Sequence, residues 1–217
     1  MNSTKTNPIK VLVADDHDIV RQGIKTIISE VSDISIVGEA ENGDEVLKKI
    51  QELKVDVLIM DYDMPDRNGL DTLIELKAMR PQLPVIILSM FPEDHYGVRF
   101  LKAGASGYLG KSNVTQQLVE AIRKVINGHK YISANLADKL VSELNKDSEG
   151  PLHAKLTDRE FQVFHCIASG KRLKAIAEEL HLSINTVSTY RSRVLEKMEM
   201  KNNSDLIRYA IENSLIK

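Results

Sequence analysis

The chain has one cysteine in 217 residues, so no internal disulfide can form. A fold held without cross-links fits a reducing cytosol. Cys166 lies in an apolar helical stretch and is expected to be a buried small hydrophobe. No apolar run exceeds about five residues, far below the ~20 that cross a bilayer as a helix. The opening Met1-Asn2-Ser3-Thr4-Lys5-Thr6-Asn7-Pro8 has no apolar signal core, so the expectation is a cytoplasmic protein without a membrane partner. Internal repeats and low-complexity tracts are also absent. Neither sign of charge dominates: the formal net charge is −2. The balance is uneven, however, at −5 over residues 1–150 and +3 over residues 151–217. Two modules with different partners would produce that asymmetry.

What is present begins with two short apolar runs that end in acids. Val11-Leu12-Val13-Ala14 leads into Asp15-Asp16, and Val57-Leu58-Ile59-Met60 leads into Asp61. Short continuous apolar runs are the mark of strands buried on both faces of a parallel sheet. The pattern alternates from residue 9 to about 128. Strands are expected at 9–14, 34–38, 55–60, 84–89 and 106–109, and helices at about 18–31, 43–53, 67–79, 92–103 and 113–127. Such βα repetition predicts a doubly wound α/β domain with a five-stranded parallel sheet over residues 8–128. Ligands of open parallel sheets sit at the carboxyl ends of the strands. Crowded carboxylates there need a cation or a proton between them, which points to a small Mg²⁺ site beside an aspartate able to accept a phosphoryl group. His17 next to the acidic pair is expected only to open the first helix.

Residues 129–155, with Asn145-Lys146-Asp147-Ser148-Glu149 and Gly150-Pro151, have linker composition, part helical over 133–144. Residues 156–217 carry helical spacing throughout. Thr157 and Glu160 offer a capping box, Gly170 a stop, and Ser183 an N-cap for a long helix over 184–199. A last helix is expected over 204–214.

The first region resembles the receiver domains of two-component response regulators. The resemblance rests on Asp15-Asp16, Asp61, Ser89, Tyr108 and Lys111 in order, and on the loop Asp61-Tyr62-Asp63-Met64-Pro65-Asp66-Arg67-Asn68-Gly69. It implies a flavodoxin-like fold with Asp61 as the phospho-acceptor. Mg²⁺ would be held by Asp16, Asp61 and the backbone carbonyl of Asp63, with Asp15 holding a metal-bound water. It also implies that Lys111 and Ser89 meet the phosphoryl oxygens, and that Ser89 and Tyr108 move together as a switch, with Tyr108 swinging inward. Two departures stand out: Ser112 follows Lys111 where many receivers have proline, and Asp63 adds a carboxylate expected to alter metal affinity or phosphate lifetime.

The last 62 residues are similar to the four-helix, helix-turn-helix domain of the NarL/LuxR class. The marks are Leu156-Thr157, Arg159-Glu160, Gly170, Ile176-Ala177-Glu178-Glu179-Leu180 and the stretch from Ser183 to Arg193. On a helical wheel Asn185, Ser188, Thr189, Ser192 and Arg193 share one polar face, opposite Val187, Val194, Leu195 and Met198. Ser188, Thr189 and Ser192 are the expected base contacts in the major groove. Lys174, Thr186, Tyr190, Arg191, Arg193 and Lys197 are the candidates for phosphates. Relatives commonly have lysine at the Ser188 position, so a different operator is expected. The resemblance implies a sensor histidine kinase, double-stranded promoter DNA and a second copy of the chain, paired through the last helix, as partners. It also implies that no separate substrate is turned over. A protein–protein signalling adaptor, whose C-terminal domain mainly dimerises, remains the alternative.

Overall fold

A computed structural model of the chain describes residues 7–65, 69–90, 93–144, 151–180, 182–213 and 215–216. Asp66, Arg67 and Asn68 of the expected acidic-site loop, Pro92, the polar linker stretch 145–150 and His181 lie outside the described residues. The chain divides into two compact units, Met1–Val141 and Ser142–Lys217.

In the first unit, β1 (Ile9–Ala14), β2 (Ile34–Ala40), β3 (Val57–Asp61), β4 (Val85–Ser89) and β5 (Gly107–Gly110) form a parallel sheet in the order β2-β1-β3-β4-β5. The crossovers are α1 (Asp18–Ser29), α2 (Gly43–Glu52), α3 (Gly69–Met79) and α4 (Glu93–Lys102), and α5 (Val114–Ile126) follows β5. Every residue of β3 and β4 is buried, as strands covered on both faces must be. On one face Val11, Val13, Ile59, Ile86 and Leu88 pack with Ile24, Ile28, Leu118 and Ile122 of α1 and α5. Each such buried aliphatic side chain contributes roughly 1.5–3 kcal/mol. An aromatic group packs near the end of the sheet: Tyr62 lies 5.1 Å from Tyr96 and 5.2 Å from Phe100, and Phe100 lies 6.2 Å from Tyr108.

The chain beyond α5 does more than link. Gly128, at φ +82°, turns it back, and Tyr131 forms a parallel bridge with Gly107. Its N–H donates to Ser106 O at 2.9 Å, and its carbonyl accepts from the Tyr108 N–H at 3.2 Å. The Ser133 N–H then donates to Glu93 Oε1 at 3.0 Å, and α6 (Ala134–Leu144) begins. Leu136 is fully buried over Gly97, where an added Cβ would stand 2.6 Å from the leucine Cδ2. Residues 129–141, of linker composition, therefore pack as part of the first unit.

In the second unit a 3-10 turn at Leu152–Lys155 precedes α7 (Asp158–Ala168), α8 (Leu173–Glu179), α9 (Ile184–Lys197) and α10 (Asn203–Glu212). The expected caps form: Thr157 and Glu160 make the capping box, and Ser183 Oγ accepts from the Thr186 N–H at 3.0 Å. Cys166 is buried, together with Phe161, Phe164, Ile176, Val187, Val194, Met198 and Leu206. α9 ends two residues before the pattern predicts. Glu199 takes the left-handed conformation at φ 56°, and the Met200 N–H closes on Leu195 O at 2.8 Å. α10 likewise stops at Glu212, and Leu215 folds back, buried, with its N–H on Ala210 O.

Candidate functional site

The strand order reverses between β1 and β3, and the crevice at that point is where an open α/β sheet binds ligands. Ala14 pairs with Met60, so the residues that follow, Asp15 and Asp61, emerge side by side. Asp15 is fully buried and Asp61 nearly so. Asp15, Asp16, His17 and Asp61 each bring a ligating atom within 4.8 Å of the others.

Among the described residues, one lysine faces this group. Lys111, just after β5, places Nζ 2.9 Å from Asp61 Oδ2 and 2.8 Å from Asp15 Oδ2. Burial lowers the lysine's proton affinity, but Asp61 and Asp15 reverse that and hold it above the ordinary lysine value. Asp61 is pushed up to about 7: burial raises it, the Lys111 ammonium opposes, and the charges of Asp15 and Asp16 raise it further. Among the described residues, three carboxylates stand against one ammonium, which leaves them short of positive charge. Asp16 Oδ1 is buried and lies 2.9 Å from His17 Nδ1 without an aligned hydrogen bond. Hard oxygens, net negative charge and an acceptor with no aligned donor fit a divalent cation such as Mg²⁺.

Ser89, the last residue of β4, and Tyr108 on β5 are both buried and share a hydrogen bond. Burial raises the phenol's pKa, so it remains a neutral donor and acceptor. Tyr108 thus occupies the inward position, with Ser89 as its partner. A cleft of about 370 Å³ beside them is lined by Ser89, Glu93, Tyr108, Lys111, Tyr131 and Ser133, and so joins the acidic site to the returning chain. Asp63 is half-buried two residues past the end of β3.

Two residues exceed what the sequence indicates. His17 does open α1, as its N-cap, but its ring also stands against both acids, 3.3 Å from Asp15 and 2.9 Å from Asp16. Arg21 is buried on α1, and its Nη1 donates to the backbone carbonyl of Asp15 at 2.7 Å. The one sequence signal for it was an arginine interrupting an otherwise apolar helical face.

In the second unit, α9 buries Val187, Val194 and Met198 and exposes Asn185, Ser188, Thr189, Ser192 and Arg193, as the wheel predicts; Leu195 is half-buried. The hydroxyls of Thr189 and Ser192 turn onto their own helix, donating to Asn185 O and Ser188 O. Lys174 is exposed at the start of α8, and Thr186 and Tyr190 are half-exposed on α9. Two cations of α9 have protein partners: Arg191 Nε donates to Asn203 Oδ1 at 2.6 Å, and Lys197 Nζ pairs with the buried Glu160 at 2.6 Å. On α10, Ile211 is exposed beside Ile207 and Arg208.

Comparison with known proteins matches both units. The family described as response regulator receiver domain covers residues 11–123, and that described as bacterial regulatory proteins, luxR family, covers residues 154–210. The response regulator GacA of Pseudomonas protegens is 37% identical over 209 residues, 96% of this chain and 98% of that one. The response regulator protein VraR of Staphylococcus aureus is 36% identical over 208 residues, 96% and 99% of the two chains. RcsB from Salmonella enterica serovar Typhimurium, solved bound to promoter rprA with the phosphomimetic BeF3⁻, superimposes with a TM-score of 0.61 at 25% identity, over 93% of this chain and 98% of that one. With both family matches in this order along one chain, and relatives of more than 30% identity over nearly its whole length, the chain belongs to the response regulators of the NarL/LuxR class.

Proposed function

We propose that the chain is a cytoplasmic transcription regulator that binds promoter DNA when a sensor histidine kinase has phosphorylated Asp61. The observation that carries this reading is the Asp61 carboxylate at the end of β3, 2.9 Å from Lys111 and against Asp15 and Asp16. Asp61 Oδ attacks the phosphorus of a kinase phosphohistidine. The P–N bond breaks, its electron pair returns to the imidazole, and an acyl phosphate remains. No general base is needed, because the nucleophile is already a carboxylate once a cation lowers its pKa. Asp16, Asp61 and the Asp63 carbonyl would hold Mg²⁺, with Asp15 holding a water on it, and the ion would supply charge neutralisation for the transfer. Lys111 then pairs with one phosphoryl oxygen. Ser89 turns to donate to another, Tyr108 moves with it, and that joint movement is the switch. The chain accepts phosphate on itself and turns over no separate substrate.

Output follows from α9. Its short polar side chains Ser188, Thr189 and Ser192 approach base edges in the major groove, while Lys174, Thr186, Tyr190, Arg191 and Arg193 meet phosphates. Lys197 reaches a phosphate only by leaving Glu160. Exposed Ile211, with Ile207, lets α10 pair two copies on a two-fold symmetric site.

Selection from random duplex DNA, with and without Mg²⁺ and a small phosphodonor, alongside Asp61→Ala, tests the whole chain of events. A palindrome enriched only with phosphodonor and intact Asp61 is the expected result. Enrichment indifferent to both removes the switch, and no enrichment at any salt supports the adaptor reading.

A further inference from the structure

We propose that Arg21 is a positioning residue for the metal-binding acids, acting through the peptide between Asp15 and Asp16. The proposal rests on the reading of Asp15, Asp16 and Asp61 as a Mg²⁺ site and adds a residue outside the carboxylate set. Asp15 is tied at every other polar atom. Its N–H donates to Ala40 O at 3.1 Å, its Oδ1 accepts from the His17 N–H at 2.8 Å, and its Oδ2 forms an ion pair with Lys111 at 2.8 Å without an aligned hydrogen bond. Arg21 Nη1 supplies the remaining tie, at 2.7 Å on the carbonyl. That carbonyl lies in the plane of the peptide joining Asp15 to Asp16, so its direction sets where the Asp16 Cα, the root of that carboxylate, is placed.

The guanidinium is held on its other side. Nη2 donates to Glu41 Oε1 at 2.8 Å and Asp18 Oδ1 at 3.1 Å, and Nε stands 3.4 Å from Glu39 Oε2. Only a planar fork of several donors spans a carbonyl and the acids at the end of β2 together. The three surrounding carboxylates also cancel its charge, so a cation near Asp16 meets little repulsion from it. Partners that orient metal ligands without touching the metal typically change affinity 10–100-fold.

The test is a MgCl₂ titration of the full chain, followed by the amide resonances of the Asp15–His17 turn and, separately, by the Mg²⁺ dependence of phosphorylation from a small phosphodonor. Arg21→Met is expected to weaken Mg²⁺ about tenfold or more, with the rate at saturating Mg²⁺ kept within about threefold. Glu41→Gln removes an ion pair of Arg21 but leaves the Asp15 contact, and should keep the wild-type affinity. Should Arg21→Met not fold, Arg21→Gln decides the matter: it stays polar, but its terminal nitrogen is two bonds short of the guanidinium nitrogen that meets the Asp15 carbonyl, and its affinity must fall. Wild-type affinity in a folded Arg21 variant, or an equal loss in Glu41→Gln, overturns the proposal. No saturable Mg²⁺ response in the wild type overturns the metal-site reading itself, and the proposal with it.

Discussion

Lys111 Nζ stands 2.9 Å from Asp61 Oδ2 and is shared with Asp15, so one ammonium serves two buried carboxylates. Removing it leaves both buried acids without their ammonium. Lys111→Met should cost about 3 kcal/mol of stability at pH 8 without metal, the loss expected when one member of a buried pair is deleted. The loss should shrink toward pH 5, where Asp61 takes up a proton. Urea unfolding at the two pH values reads this directly, and an equal cost at both would show that Lys111 is not what compensates Asp61.

Asp61 also gives the wild type a pH signature. Its folded pKa, about 7, lies above its ordinary value of 3.8. Between those values the folded chain holds a proton that the unfolded chain has released, so metal-free stability falls as pH rises through that window. Mg²⁺ needs the ionised carboxylate, so its apparent affinity should drop about tenfold for each pH unit below 7. Melting curves with and without Mg²⁺ at pH 6 and 8 should show a much larger metal-induced rise at pH 8. The same rise at both values would place the proton elsewhere.

Much of this site was legible because the strands are short apolar runs and the acids stand at their ends, where sheet topology alone brings them together. Arg21 was not. On one helix it shows only as a charge breaking an apolar face, and the partners that allow its burial come from the end of β2, where Glu39 and Glu41 stand beside it. Tyr131 was missed for a related reason: a bridge of one residue has no periodicity, and its partners Ser106 and Tyr108 lie more than twenty residues away. Lys197 reads from sequence as a free cation on α9, yet Glu160, placed by its own capping box, captures it across the second unit.

That capture separates two cations on α9. Arg193 is exposed and should act on DNA phosphates, so Arg193→Ala should weaken binding to all sequences and reduce the salt slope by about 1. Lys197→Ala leaves Glu160 buried without its ammonium, and should chiefly lower the melting temperature of the second unit. Binding measured across a salt series, with melts of the same variants, distinguishes the two. A full unit of slope lost in Lys197→Ala would show that the ion pair opens on DNA.

Glu199 carries a backbone cost that its side chain does not offset. At φ 56° it occupies the position after α9 that glycine usually fills. Glu199→Gly should stabilise the second unit by about 0.5–1 kcal/mol, relief of left-handed strain exceeding the added freedom of the unfolded chain. Denaturant melts of the variant would show no gain if the left-handed turn is not retained in solution.

The bridge from Tyr131 to Gly107 bears on how copies of this protein can meet. β5 is an edge strand, and an uncovered edge offers its free N–H and C=O groups to any extended chain that drifts past. Here the protein lays its own continuation along that edge, directly beside Tyr108. Sheet-to-sheet growth from that side is thereby discouraged, and association on that side is left to side chains on the helices. Contacts of that kind can be made and broken as a signal comes and goes, whereas strands stacked edge to edge tend not to come apart.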